Sequence, residues 1–102
     1  MAFITGTGKV TTNAGTAVQA LSADSFKGKN SFVIQALPTN TGHLTLGSSA
    51  VVHATGANGF RILAPGQYFS SGSEGLNDLD PTKIYFDVAV NGEGVIAGAL
   101  ER

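Results

Sequence analysis

Two histidines, His43 and His53, stand on either side of the segment Gly47-Ser48-Ser49-Ala50. If that segment is a turn and Leu44 and Leu46 face a core, a register pairing Leu44 with Val52 or Ala54 puts both rings on the outward face, where they could share a metal ion. A zinc site needs three or four ligands, and no carboxylate or thiol lies near the pair in sequence, so solvent-facing or interface histidines are expected instead. Glu74, Asp78 and Asp80 could gather calcium with loop carbonyls, but their spacing is not the alternate-residue spacing of a twelve-residue calcium loop, and a solvated acidic loop is expected. Gly6-Thr7-Gly8-Lys9 looks superficially like a phosphate loop. The required spacing, however, puts Phe3 where the first glycine belongs and Val10 where a hydroxyl must hold magnesium. No serine occupies a Gly-x-Ser-x-Gly elbow, no His/Asp pair stands in triad order, and cysteine is absent. The chain is therefore expected to be no enzyme and to hold no cofactor.

Composition points the same way. Only 13% of the 102 residues are charged, against roughly 25% in ordinary soluble domains. Gly, Ser, Thr and Asn together supply 38. A polar but weakly charged surface can be covered by protein without stripping many ions of water, the expensive step in burying an interface. Net charge is −1, so neither nucleic acid nor an anionic membrane is favoured as partner, since either calls for a clustered Lys/Arg excess. Charge is uneven: residues 1–51 carry three lysines and one acid, residues 52–102 three bases and six acids. Contacts between copies could use that asymmetry to set register. Met1–Val10 has no basic start followed by an apolar run, so no secretory signal is expected, and no apolar run approaches the ~20 residues that a membrane-spanning helix needs.

The elements that must carry these residues are strands. Short runs rich in β-branched and aromatic residues recur between Gly, Asn, Pro and Ser, and no long helical period is uninterrupted by glycine. One all-β domain over residues 1–102 is expected, a small antiparallel β-sandwich that is jelly-roll-like or barrel-like, with eight or nine short strands. They are placed at Gly8–Thr12, Ala17–Leu21, Ser31–Leu37, His43–Leu46, Val51–Ala54, Phe60–Leu63, Gln67–Ser70, Lys83–Val90 and Val95–Leu100. Ile84, Phe86, Val88 and Val90 alternate with Lys83, Tyr85, Asp87 and Ala89, which predicts one buried face. Asn91-Gly92-Glu93-Gly94 then predicts a hairpin placing Ala97 and Ala99 across from Val88 and Phe86. Pro65-Gly66 fits the centre of a type II turn. Asp78 is a candidate cap for a single helical or 3₁₀ turn before Pro81.

Three segments suggest contacts with other proteins. Ser31–Leu37 is nearly continuously apolar, which predicts cover on both faces, either by a neighbouring subunit or by the chain's own loops. Phe3 and Ile4, ahead of two glycines, suit either an apolar tip on a flexible arm at residues 1–8 or a first strand closing its own sheet. Tyr68 and Tyr85 are the aromatics best placed for stacking on a sugar, with Trp absent; the phenylalanines are expected in the core.

The stretch Ser31-Phe-Val-Ile-Gln-Ala-Leu-Pro-Thr-Asn-Thr-Gly42, followed by Leu44-Thr-Leu-Gly47, Ala64-Pro65-Gly66, Lys83-Ile-Tyr85 and Asn91-Gly92-Glu93-Gly94, resembles small virion proteins of tailed bacteriophages. The similarity covers most of the chain and lies in turns and strand ends, so it speaks to a fold pattern more than to a chemistry. It implies a capsid decoration or cement protein on the virion exterior, often a homotrimer, whose partners are the major capsid protein and copies of itself. No long appendage is evident, which argues against a head fibre. The resemblance carries over no binding residues; for a protein of this role, Phe3 and Ile4 are expected as an arm contact and Lys27, Lys29 and Arg61 as surface contacts. The alternatives are a head-completion or tail protein, and a carbohydrate-binding module on a host-recognition structure.

Overall fold

Alternation of apolar and polar residues, broken every few positions by Gly, Asn or Pro, favours short strands. The computed structural model, which describes residues 3–21, 31–70 and 81–101, is built of them. In chain order they are β1 (Phe3–Thr12), β2 (Val18–Gln19), β3 (Ser31–Ala36), β4 (Leu44–Val52), β5 (Ala57–Leu63), β6 (Tyr68–Ser70), β7 (Tyr85–Val88) and β8 (Glu93–Glu101). A 3₁₀ turn, Pro81–Lys83, precedes β7. The strands form two antiparallel sheets, ordered β1-β8-β3-β6 and β2-β7-β4-β5, so the expected all-β sandwich is the fold observed.

The strand order has a simple origin. Pairing 1 with 8, 2 with 7, 3 with 6 and 4 with 5 makes one long antiparallel ribbon closed at the 4–5 turn. Rolling that ribbon until β8 meets β3 and β7 meets β4 produces both sheets. This is the topology of an eight-stranded jelly roll. Among the described strands only β4 and β5 are neighbours both in sequence and in a sheet; the others alternate between the two sheets along the chain.

That crossing corrects the hairpin expected at the C-terminal end. β7 and β8 lie in different sheets, and Asn91-Gly92 turns the chain between them, with Gly92 at φ 82°. Ala97 and Ala99 stand opposite Ile34 and Phe32 of β3, not Val88 and Phe86. Asn91-Gly92 is a turn, as its residue types predict, but a chain reversal does not require its two arms to pair. Pro65-Gly66 does form its turn, with the Gln67 N–H donating to the Ala64 carbonyl at 2.9 Å and Gly66 at φ 82°.

Between the sheets lies the core. Phe32, Ile34 and Ala36 of β3, Val95 and Ala97 of β8 and Phe69 of β6 meet Leu44 and Leu46 of β4, Phe86 and Val88 of β7 and Leu63 of β5. Phe32 and Phe69 pack with ring centroids 6.1 Å apart. Ile84, Phe86 and Val88 are buried as their alternation predicts, whereas Val90, beyond the end of β7, is exposed.

A second correction concerns β4. Gly47–Ala50 is not a turn between two strands; it lies within β4, and the reversal comes at residues 53–56. Leu44 pairs with Leu63 and Val88, not with Val52 or Ala54. Eight residues of straight strand would span about 26 Å. Yet Thr45 Oγ1 and His53 Nδ1 are 2.8 Å apart, so the chain folds back on itself between them. The register breaks on both sides of Gly47, and Phe60 is the extra residue of a bulge between the pairs Gly47–Gly59 and Leu46–Arg61. Glycine is required at the fold: a Cβ on Gly47 would run into the Asn58 carbonyl and stand 2.8 Å from both Gly59 Cα and a Val51 methyl.

At another crossover, side chains take over the work of a ladder. The Asn40 amide donates to the Gly94 carbonyl at 2.9 Å and accepts from the Gly94 N–H at 3.2 Å, extending the sheet by one side-chain rung. Next to it, the Glu93 carboxylate accepts from the Thr41 N–H (2.6 Å), the Thr41 hydroxyl (2.9 Å) and the Gly42 N–H (3.1 Å). The Thr41 backbone donor does most to hold the Glu93 pKa below the ordinary carboxylate value; partial desolvation opposes it, and the Gly42 N–H and Thr41 hydroxyl add to it.

Candidate binding faces

The two sheets differ in what covers their outer sides. Across the first sheet the register sets Lys9, Ile96, Gln35 and Tyr68 in one row, and Gly6, Gly98, Val33 and Ser70 in the next. Their neighbours Val95, Ala97, Ile34 and Phe69 are buried, so these rows form the outer face. No described residue roofs them: Val33 is 42% exposed, Ile96 44% and Tyr68 58%. Of the eight residues only Lys9 is charged. Apolar side chains in the middle of an open sheet, flanked by glycine and neutral polar groups, are a surface that covering would stabilise.

Burying this face alone would bury little. Four strands roughly 4.8 Å apart and five residues long cover about 300 Å² in projection. That is well under the ~800 Å² each partner contributes to a standard interface. One such contact is too small for a tight complex of two isolated copies, but its effect multiplies when several are made at once.

The second sheet is already covered over its central strands, although Ile62, beside Thr45 on the edge strand β5, is 57% exposed. Thr45 and Asp87 face outward from β4 and β7, opposite one another, yet are 2% and 1% exposed. The folded-back tip of the β4–β5 hairpin and the turn after β1 lie over them. Asp87 Oδ2 accepts the His53 N–H at 2.8 Å, and Oδ1 accepts the N–H groups of Gly15 and Val88, each at 2.9 Å. Every oxygen of this buried carboxylate therefore has a backbone donor, which is what makes its burial tolerable.

A third feature lies at the free edge of β5. A shallow groove there is lined by Thr45, Gly56, Gly59, Phe60, Arg61 and Ile62. Residues 57–62 are exposed in succession. The Phe60 bulge lets its ring pack edge-on against Phe69 at 5.3 Å while half its surface stays in solvent. The edge strands β6 and β2 are shorter, running only three and two residues.

The residues singled out from sequence are scattered. The backbone of Phe3 and Ile4 belongs to β1, opposite Glu101 and Leu100, so from residue 3 onward the N-terminal segment takes the form of a first strand in the chain's own sheet, not a free arm. Arg61 is exposed on β5 and lines the groove. Lys27 and Lys29, like Glu74, Asp78 and Asp80, lie outside the described residues. His43 is exposed ahead of β4, while His53 is half-buried against Thr45. Among the described residues no group of three or more His, Asp or Glu side chains could hold a metal ion. Tyr68 stands on the open sheet face and Tyr85 is half-buried, and neither lines the groove. β3 is central, and among the described residues no loop roofs the side carrying Val33, which is 42% exposed. Sequence reasoning did not isolate Val33 and Ile96 as a pair, although both are apolar residues at outward positions; their adjacency depends on β3 lying beside β8. Nor did it find Asp87, whose place in an alternating strand reads as a solvent position.

No protein-family model, no curated protein and no solved structure matches this chain.

Proposed function

We propose that the chain is a structural protein of a phage virion that decorates or cements the capsid, seating the open face of the first sheet on capsid subunits. The observation that carries this proposal is the uncovered, nearly uncharged patch of Val33, Ile96 and Tyr68 on a molecule whose other sheet is roofed over its central strands by its own chain. Jelly rolls recur in viral coat domains, and equally in lectins and cupins, so topology by itself selects none of these. The face narrows the choice: it offers no convergent acids, bases or ligands for chemistry, and its small footprint suits a protein whose contacts are repeated on a lattice. In this proposal three copies assemble, each sets one face on the major capsid protein, and the gain is mechanical, by avidity between shell subunits. The chain then sits on the capsid exterior and performs no catalysis.

The test is co-sedimentation with empty capsids of the phage that encodes the chain, alongside mass photometry of the chain alone. We expect particles of three copies and saturable capsid binding. The double substitution Val33→Asp with Ile96→Asp should abolish that binding while leaving the circular dichroism spectrum unchanged. A chain that ignores the shell, or a double variant that binds as well as the parent, defeats the proposal. Six- or twelve-fold rings would instead mark a head-completion or tail protein, and hits on a glycan array a carbohydrate-binding module.

A further inference from the structure

We propose that the β4–β5 tip, residues 48–58, and the turn at residues 13–16 form one cooperative cover, latched by the Asp87 carboxylate, that opens as a unit and gates the outer side of β4 and β7 in the second sheet. The geometry starts at β7. Phe86 and Val88 point into the core, so Asp87 between them projects from the opposite side, beneath both segments. One oxygen takes the His53 N–H of the tip; the other takes the Gly15 N–H of the turn. Segments separated by nearly forty residues of sequence thus share a single acidic group.

Each segment is otherwise lightly held. The tip adds the Thr45–His53 hydrogen bond, the packing of Val51 over Gly47, and an internal bond from Asn58 Nδ2 to the Ala50 carbonyl at 3.2 Å. The turn adds the Ala14 N–H donated to Asn91 Oδ1 at 2.9 Å and the Thr12 hydroxyl donated to the Thr16 carbonyl at 2.7 Å. Val51 is buried but does not belong to the core cluster between the sheets. Lifting the tip therefore uncovers a separate layer and leaves the sandwich intact, the situation in which local opening precedes global unfolding. Gly47 and Gly59, where the β4–β5 register breaks, are the natural hinges.

Cooperativity follows from the shared carboxylate. Once the tip lifts, Asp87 loses its His53 donor and meets water, and a charge-assisted bond weakens when its acceptor is solvated. The Gly15 bond is then easier to break, and the coupling is reciprocal. The cover thus gives the molecule one sheet face open at rest and, over β4 and β7 of the other sheet, a surface reachable only after release.

Hydrogen exchange followed by mass spectrometry on the full chain tests this. In Asp87→Asn, amide exchange should rise at least tenfold in peptides covering residues 13–16 and 48–58 together, with those covering residues 32–36 and 95–97 unchanged. Thr45→Val leaves the carboxylate in place and removes only the hydroxyl under His53. It should speed exchange in the tip and, through the coupling, in the turn as well. Asn40→Ala, which weakens the sandwich away from the latch, is the control for global loosening. The proposal is overturned if Thr45→Val frees the tip while the turn stays protected. It is equally overturned if Asp87→Asn raises exchange in one segment only, or uniformly along the chain in the manner of Asn40→Ala. Should Asp87→Asn not fold, Thr45→Val decides alone.

Discussion

Replacing Gly94 by alanine adds one methyl group at a place where the β1 backbone leaves no room for a side chain on β8. That methyl would run into the Val10 carbonyl oxygen and stand 2.8 Å from both the Val10 carbonyl carbon and the Thr11 Cα. All of these are backbone atoms, so no side chain can rotate away and the strand itself must shift. Moving β1 off β8 strains the pairs Val10–Val95 and Thr11–Gly94, and disturbs the Asn40 rung and the Leu37 N–H bond to the Gly94 carbonyl. Two backbone hydrogen bonds at about 1 kcal/mol each, with about 1–3 kcal/mol of overpacking strain, give a loss of roughly 3–5 kcal/mol. Gly92, two residues earlier, is the internal comparison. Its φ of 82° disfavours alanine, but a Cβ there meets nothing within 4 Å, so only the left-handed penalty of about 1–2 kcal/mol applies. Urea unfolding of both variants, compared at a common slope, measures the difference. If Gly94→Ala is no less stable than Gly92→Ala, close strand approach is not what demands glycine at position 94.

Asn40→Ala removes both halves of the rung to Gly94 and leaves a buried N–H without its acceptor, so urea unfolding should show a loss of about 2–4 kcal/mol. Glu93 has a depressed pKa in the folded chain, so its contribution is fully present above the ordinary carboxylate range and is lost as pH falls through the folded value. Glu93→Gln should therefore melt below the parent at pH 7 and converge with it in acid; a gap that persists at low pH would place the effect elsewhere. Leu46→Ala empties a fully buried position between the sheets and should destabilise by about 2–5 kcal/mol in the same urea assay.

The candidate face was partly legible. Five of the six residues from Phe32 to Leu37 are apolar, which marked β3 as a strand with more than one side to hide, and Val33 is the residue that made it so. Ile96 could not be joined to Val33 from the order of residues, because β8 pairs with β3 across more than sixty positions. Phe3 and Ile4 had two readings, since an apolar pair ahead of glycines suits an arm as well as an edge strand; the partner strand, at the far end of the chain, decides.

Local chemistry by itself determined the β class, the turn at Pro65-Gly66, the buried alternation of Ile84, Phe86 and Val88, and the scarcity of surface charge. Each depends on side-chain type and on backbone freedom at one or two positions. Tertiary structure alone decided which strands pair, that β4 folds back over its own sheet, and that Asp87 is buried beneath it. The physical reason is that strand faces made of Val, Ile, Ala and Phe satisfy one another almost interchangeably. The choice among partners is therefore made by closing the whole sandwich at once, and whether an outward position meets water depends on where a distant segment comes to rest.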